Sequence, residues 1–294
     1  VPYYREISVL DAQLGQCLAM VDRSPQAKNT LVMFLSEQGS SMPFGKWTCY
    51  DAGLKAACIV RWPGKVAPGT RTSALCTYGD ILPTLIEAAG GDPTKVDTGC
   101  PDAFGKRGFD GQSFLDVLLG KKATHHKYVF GAHTTRGIIN GSECYPIRSV
   151  RSDRFKYIWN PNWKATFYNA EGTSRTGLPK QWLDRNEPEA KARAEAYYHR
   201  PEEELYDLEK DPFELHNLAD DPQYAEVKKQ LRQALLAWME QQGDKGIETE
   251  MKALERLGPN NNWQPYQPEQ DRQDAPAKPK RSPRKGRKAA TPTA

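Results

Sequence analysis

An acid and an amide, Glu37 and Gln38, stand between the apolar run Thr30-Leu31-Val32-Met33-Phe34-Leu35, closed by Ser36, and Gly39. A carboxylate beside an amide carbonyl offers hard oxygen donors suited to Ca²⁺ or Mg²⁺, and Gly39 lets the backbone turn sharply away from them. The run itself reads as a strand buried on both faces of a parallel sheet. Open α/β sheets gather ligands at the carboxyl ends of their strands, which is where this pair falls. A solvated polar cap on a strand end fits the same residues equally well.

The elements that must position this pair are legible around it. Ile7, Leu10, Leu14, Leu18 and Val21 recur at helical spacing, so an amphipathic helix precedes the strand and ends near Ser24-Pro25. A second apolar run, Ala56–Val60, closes at Trp62-Pro63-Gly64. Residues 80–91 read as a short helix stopped by Gly90-Gly91, and residues 92–113 as a surface loop. From Tyr128 the pattern changes to short strands, Tyr128–Gly131, Ile147–Val150 and Phe155–Trp159, which predicts a small antiparallel sheet. Asp220-Asp221-Pro222 opens a last helix whose Val227, Leu231, Leu235 and Trp238 share one face and should pack on that sheet. The fold class expected is α/β, followed by an α+β subdomain. The expected divisions are residues 1–127, residues 128–245, and a linker with a disordered tail over residues 246–294.

Composition bounds the rest. With 38% hydrophobic residues and seven Trp, a chain of 294 residues can bury a core. No apolar run approaches the roughly 20 residues a membrane span needs. Val1-Pro2-Tyr3-Tyr4 has neither a Met nor a signal-peptide pattern, so the true N-terminus is expected upstream. Seven of the 41 Lys and Arg residues lie between Lys278 and Lys288, in a tail without acids or branched apolar residues; residues 1–274 hold 34 basic against 37 acidic groups. Such a tail cannot offset its ordering entropy. It reads as a solvated tail or as a polybasic arm for polyanions, with no specific nucleic-acid partner expected. The six cysteines show no C-x-x-C and no His at ligand spacing, so neither a zinc site nor a redox pair is indicated. His125 and His126, in the polar stretch Lys121–Lys127, read as surface residues.

Beyond Glu37-Gln38 come Lys46, nine residues on, then Tyr50-Asp51-Ala52-Gly53-Leu54 and Arg61-Trp62-Pro63-Gly64-Lys65. Further on stand Asp80–Leu85, Gly111–Phe114, Arg151–Ile158 and Glu204–Pro212. In this order the segments resemble the type I sulfatases of the alkaline-phosphatase superfamily, where "TLVIFTSD(H/N)G", a nearby Lys or Arg, "YEGGLRVP" and "RWPGK" recur. The resemblance spans about residues 3–242, and Pro43-Phe44 with the spacing to Lys46 is nearest the sulfamidase-like branch. It implies the distal part of an alkaline-phosphatase-like sandwich and a hydrolase of sulfate esters or sulfamates on carbohydrates, exported to the periplasm or exterior. It also implies a divalent cation on Glu37 and Gln38, Ca²⁺ first and Mg²⁺ as the alternative. Lys46 would hold a sulfate oxygen and stabilise charge on the leaving group. The chain departs from the family where Asp followed by His or Asn is usual.

The family nucleophile is a formylglycine made from Cys or Ser in C-x-P-S-R, and it is expected in an upstream part. Cys144-Tyr145-Pro146-Ile147-Arg148 imitates that motif but enters a strand-like run and matches the family's "YPxRSVR" segment instead, so it is rejected as the nucleophile. His133, Arg136 and Arg148, with Thr134 and Thr135, are candidates for substrate contact. An Arg can grip sulfate bidentately, and a structural role fits these residues equally well. Trp159, Trp163, Phe167 and Tyr168 form a sugar platform or packing; Asp207, Asp211 and Asn217 read as turn and cap residues. Two rivals stand beside the sulfatase reading: a phosphodiesterase or phosphatase of the same superfamily, and a non-catalytic glycan-binding protein with a degenerate site.

Overall fold

The computed structural model describes residues 2–138, 140–170, 177–257 and 263–266. The first helix, α1 (Pro2–Asp22), forms as the periodicity requires, with Ile7 and Leu10 about half exposed on its apolar face. Strand β1 (Val32–Leu35) pairs antiparallel with β2 (Cys58–Arg61), Val32 opposite Arg61 and Leu35 opposite Cys58. This corrects the expectation of a parallel strand buried on both faces, because every residue of β1 is only half-buried. A continuous apolar run records that a strand can be covered; it does not record the direction of its partner. Between them lies a one-turn helix, α2 (Asp51–Leu54). Helix α3 (Ile81–Ala88) follows a 3₁₀ turn at Tyr78–Asp80 and ends before Gly90, which takes φ 86°. Another one-turn helix, α4 (Leu115–Leu118), closes the expected surface loop.

The second half is built on a four-stranded antiparallel meander, β3 (Val129–His133), β4 (Ile147–Arg151), β5 (Phe155–Trp159) and β6 (Glu203–Asp207), in that order. Helices α5 (Leu178–Asp184) and α6 (Pro188–Tyr198) interrupt it, and α7 (Ala225–Gln241) follows. Strand alternation divides the sheet's side chains between two clusters. Val150, Tyr157 and Leu205 meet Leu231, Leu235 and Met239 of α7, while the rings of Phe130 and Trp238 stack 4.9 Å apart. The docking expected of the last helix is thus observed, and Asp221 caps its approach by accepting from the Gln223 amide at 2.9 Å.

The opposite face carries Ile147, Ile158 and Tyr206 against Tyr145, Phe167, Tyr197 and Tyr198, and also against Cys49 and Tyr50 from the first half of the chain. A boundary at residue 127 therefore does not separate two cores: residues 49 and 50 belong to the core of the C-terminal sheet. Glu204 on this face is 1% exposed and accepts from Tyr50 Oη at 2.6 Å, Tyr206 Oη at 2.6 Å and Asn160 Nδ2 at 2.8 Å, bonds that make its burial tolerable. Order also extends past residue 245. Helix α8 (Ile247–Met251) and a 3₁₀ turn at Ala253–Arg256 occupy the start of the expected linker. Buried Glu250 of α8 accepts from the amides of Thr135 and Arg136, both at 2.8 Å. The basic run Lys278–Lys288 lies outside the described residues. Among the described residues no helix is long and apolar enough to cross a membrane.

Candidate active site

Three ties fix the end of β1. The Ser36 amide donates to Ala57 O at 3.1 Å, the Ala57 amide returns to Ser36 Oγ at 2.8 Å, and Tyr78 Oη donates to Ser36 O. Glu37 and Gln38 follow, and the chain turns at once into a loop closed by glycines. Gly39 N donates to Gly53 O at 2.9 Å and Ser40 N to Ala52 O at 3.0 Å. A Cβ on Gly39 would lie 1.9 Å from Ala52 O, so only glycine permits this backbone approach. Gly45 and Gly53 are equally closed: a Cβ on either would sit 2.2–2.3 Å from a carbonyl of the same loop.

Lys46 rides on that loop. Its amide donates to Ser40 O at 2.7 Å, and it lies between two left-handed residues, Phe44 at φ 64° and Trp47 at φ 65°. Such conformations cost bulky residues energy and persist only where the surroundings impose them. Here the surroundings are a ring cluster: Phe44 lies under the Arg193 guanidinium at 3.9 Å, with its centroid 5.4 Å from Tyr50 and 5.3 Å from Tyr197. The Lys46 Nζ lies 4.9 Å from the Trp47 ring centroid. Among the described residues, no hydrogen bond or ion pair engages the side chains of Glu37, Gln38 or Lys46. Glu37 is exposed and Gln38 half-buried, and their two side-chain oxygens are fewer than the roughly six to eight a Ca²⁺ ion takes.

The residues expected to touch substrate are placed differently. Arg148 is 2% exposed, ion-paired to Asp244 through Nε and, at 3.2 Å, Nη2, while its Nη1 donates to His133 O at 3.0 Å and Ile147 O at 2.9 Å. Its fork is spent inside the protein, so it holds β3, β4 and the segment after α7 together and is not available to grip an anion. Arg136 pairs with Glu143 at 3.3 Å and packs over Trp263. Burial, with Arg200 and Arg148 nearby, pushes His133 down to about 3, which keeps the ring neutral. Thr135 is buried on Glu250. Tyr145 and Ile147 of the C-x-P-x-R stretch are fully buried and feed β4, which agrees with rejecting Cys144 as a nucleophile. Phe167 is core rather than platform, and Asp211 and Asn217 bond the turn amides of Leu215, His216 and Ala219 as expected.

Two clusters escaped the sequence. Asp51, at the start of α2, receives Lys156 Nζ at 2.8 Å and Arg151 Nη1 at 3.4 Å, and its amide donates to Glu214 Oε2 at 2.7 Å. Burial would raise the Asp51 carboxyl, but Lys156 and Arg151 outweigh it and hold it below its ordinary value. Burial, only partly offset by Lys156 and reinforced by Asp51, pushes Glu214 up to about 7. This group is protonated in the fold at pH values where it is ionised in the unfolded chain. Its stabilisation is complete below about pH 4.5 and is lost as pH rises to about 7, a fall of up to about 3 kcal/mol. Urea unfolding at pH 5 and at pH 7.5 should show that slope in the wild type and a flattened one in Glu214→Gln; an unchanged slope would assign the effect to other groups. The second cluster, Asp80 with His125 and His126, corrects the surface reading of the two histidines, whose side chains are 10% and 22% exposed beside a carboxylate with no exposure.

The chain matches the sulfatase family over residues 2–91 and the family described as N-sulphoglucosamine sulphohydrolase, C-terminal, over residues 191–241. It is 38% identical over 245 residues to an ulvan-active sulfatase of Formosa agariphila, covering 82% of this chain and 43% of that protein. To human N-sulphoglucosamine sulphohydrolase it is 27% identical over 252 residues, covering 80% of this chain and 46% of that one. Among solved structures it resembles a protein held in complex with its substrate D-glucosamine-2-N,6-O-disulfate. The TM-score is 0.56 at 20% identity, over 82% of this chain and 40% of the other. The fold is that of the distal part of an alkaline-phosphatase-like enzyme, an α/β layer followed by an antiparallel sheet. Within that class the chain belongs to the type I sulfatase family, with sulfamidase-like relatives. It spans less than half the length of the relatives just described.

Proposed function

We propose that the protein to which these residues belong hydrolyses sulfate esters or sulfamates of a carbohydrate, and that this chain supplies Glu37, Gln38 and Lys46 to the reaction. The observation that supports this is local. Glu37, exposed, and Gln38 and Lys46, half-buried, stand on a tightly fixed backbone, and among the described residues their side chains have no hydrogen-bond or ion-pair partner. Glu37 and Gln38 would hold a divalent cation, Ca²⁺ or Mg²⁺, which when bound neutralises charge on the sulfate and its attacking group. Lys46 would place an ammonium against a nonbridging or leaving oxygen, where negative charge accumulates as the S–O or S–N bond breaks. The 294 residues contain no C-x-P-S-R or S-x-P-S-R sequence, so no bond-making step is assigned to them. An exported location is proposed on the family resemblance.

The cation assignment has its own test. In the protein extended to include a sequence-encoded nucleophile motif, calorimetric titration with Ca²⁺ should give one site. Glu37→Ala should weaken it by about 100-fold or more, beyond the roughly 10–100-fold that loss of an outer-shell partner costs. Unchanged affinity in that variant would remove Glu37 from the site.

A further inference from the structure

Asp80 opens α3 from a buried position and gathers two neighbouring imidazoles. Its Oδ1 accepts from the Gln112 amide at 2.8 Å and its Oδ2 from the Thr77 amide at 2.6 Å and Thr77 Oγ1 at 3.1 Å. His126 Nε2 lies 3.0 Å from Oδ1 and 2.9 Å from Oδ2. His125 Nε2 lies 3.6 Å from Oδ2, beyond hydrogen-bonding range, is shut off from water, and has no hydrogen-bond partner. The two rings are tilted against each other with centroids 4.1 Å apart, and Phe114 closes the far side of His125 at 6.1 Å. A buried ring nitrogen facing a carboxylate with nothing between them costs free energy.

We infer that Asp80, His125 and His126 form a binding site for a late first-row divalent metal ion of the Zn²⁺ class. Two imidazole nitrogens and one carboxylate oxygen are a zinc donor set. The three ligand atoms lie within 4.8 Å of one another. The separations of His126 and His125 from Oδ2, 2.9 and 3.6 Å, bracket the edge of about 3.3 Å that a tetrahedron with bonds of about 2.0–2.1 Å requires. On binding, the proton that His126 Nε2 shares with Asp80 gives way to the ion and passes to solvent or to Nδ1. These donors differ from the all-oxygen pair at Glu37 and Gln38, and so does the placement. Residue 126 is bridged to Leu75 through its amide, 3.2 Å from Leu75 O, and lies just before β3, while the turn that carries Asp80 also carries Tyr78, which holds Ser36. The ion clamps the start of the C-terminal sheet to the support of the candidate loop.

Zn²⁺ titration of the full chain tests this in a background of Cys17→Ser, Cys58→Ser, Cys76→Ser and Cys100→Ser, with excess Ca²⁺ present to fill an oxygen site. One equivalent should bind and raise the melting temperature, and Co²⁺ in its place should give the visible spectrum of a tetrahedral nitrogen and oxygen site. His125→Gln should weaken binding about 100-fold or more and abolish the thermal shift. The shift in each protein is read against its own metal-free melting temperature, so a change in the stability of the metal-free variant does not enter the comparison. His126→Gln is the second variant, and if it fails to fold His125→Gln alone decides. No saturable binding by the parent, or affinity unchanged in His125→Gln, overturns the inference.

Discussion

Replacing Lys46 by Ala in the upstream-extended protein should lower kcat/KM for a sulfated sugar by about 10²–10³-fold, the cost of removing one preorganised charge-stabilising donor. The side chain has no ion-pair partner among the described residues, and its one charge-dependent contact there is with the Trp47 ring, so the stability of the variant should stay within about 1 kcal/mol of the parent. Lys46→Arg separates charge from geometry. An Arg keeps the charge but replaces a compact ammonium with a planar fork, so partial rescue is expected rather than full activity. An equal fall in kcat and kcat/KM would place the contact in the transition state; a rise in KM alone would make Lys46 an ordinary binding group.

Gly39→Ala should destabilise the protein by about 3 kcal/mol or more and abolish activity, since a methyl group there would lie 1.9 Å from Ala52 O and the ladder from residues 39 and 40 to 52 and 53 would have to open. Gly64→Ala supplies the contrast. Gly64 sits at φ 73° with nothing within 4 Å of an added Cβ, so its substitution carries only the left-handed backbone cost, about 1 kcal/mol. Urea unfolding of the two variants measures the difference directly. Similar losses at both positions would mean that the loop relaxes around residue 39 and that its shape is not set by these contacts.

What could be read in the sequence follows from where each residue's partners lie. The first three strands of the meander, the helix at residues 81–88 and the apolar face of α7 announce themselves through local periodicity. Helix α6 is Ala-rich with charges all round and shows no clear apolar stripe, so it becomes visible only through what its Ala194 and Tyr197 bury. Strand β6, Glu-Glu-Leu-Tyr-Asp, reads as polar because Glu204 finds Tyr50, a residue 154 positions away, to accept from. The same distance problem hid His125 and His126, whose carboxylate lies 45 and 46 residues upstream, and it made Arg148 look available when Asp244 is 96 residues downstream. The proposal for Glu37, Gln38 and Lys46 rests instead on local signals: a strand end, a glycine turn and the order of the segments that follow.

Release of sulfate by the upstream-extended protein decides whether Glu37, Gln38 and Lys46 serve a sulfatase. Sulfated sugars carrying O-sulfate or N-sulfate, and the matching phosphate esters, would be offered with divalent cation and after its removal by chelation. Cation-dependent sulfate release is expected, falling with Lys46→Ala and exceeding phosphate release from the matched ester. Preferential cleavage of the phosphate ester, or sulfate release that survives both chelation and Lys46→Ala, would contradict it.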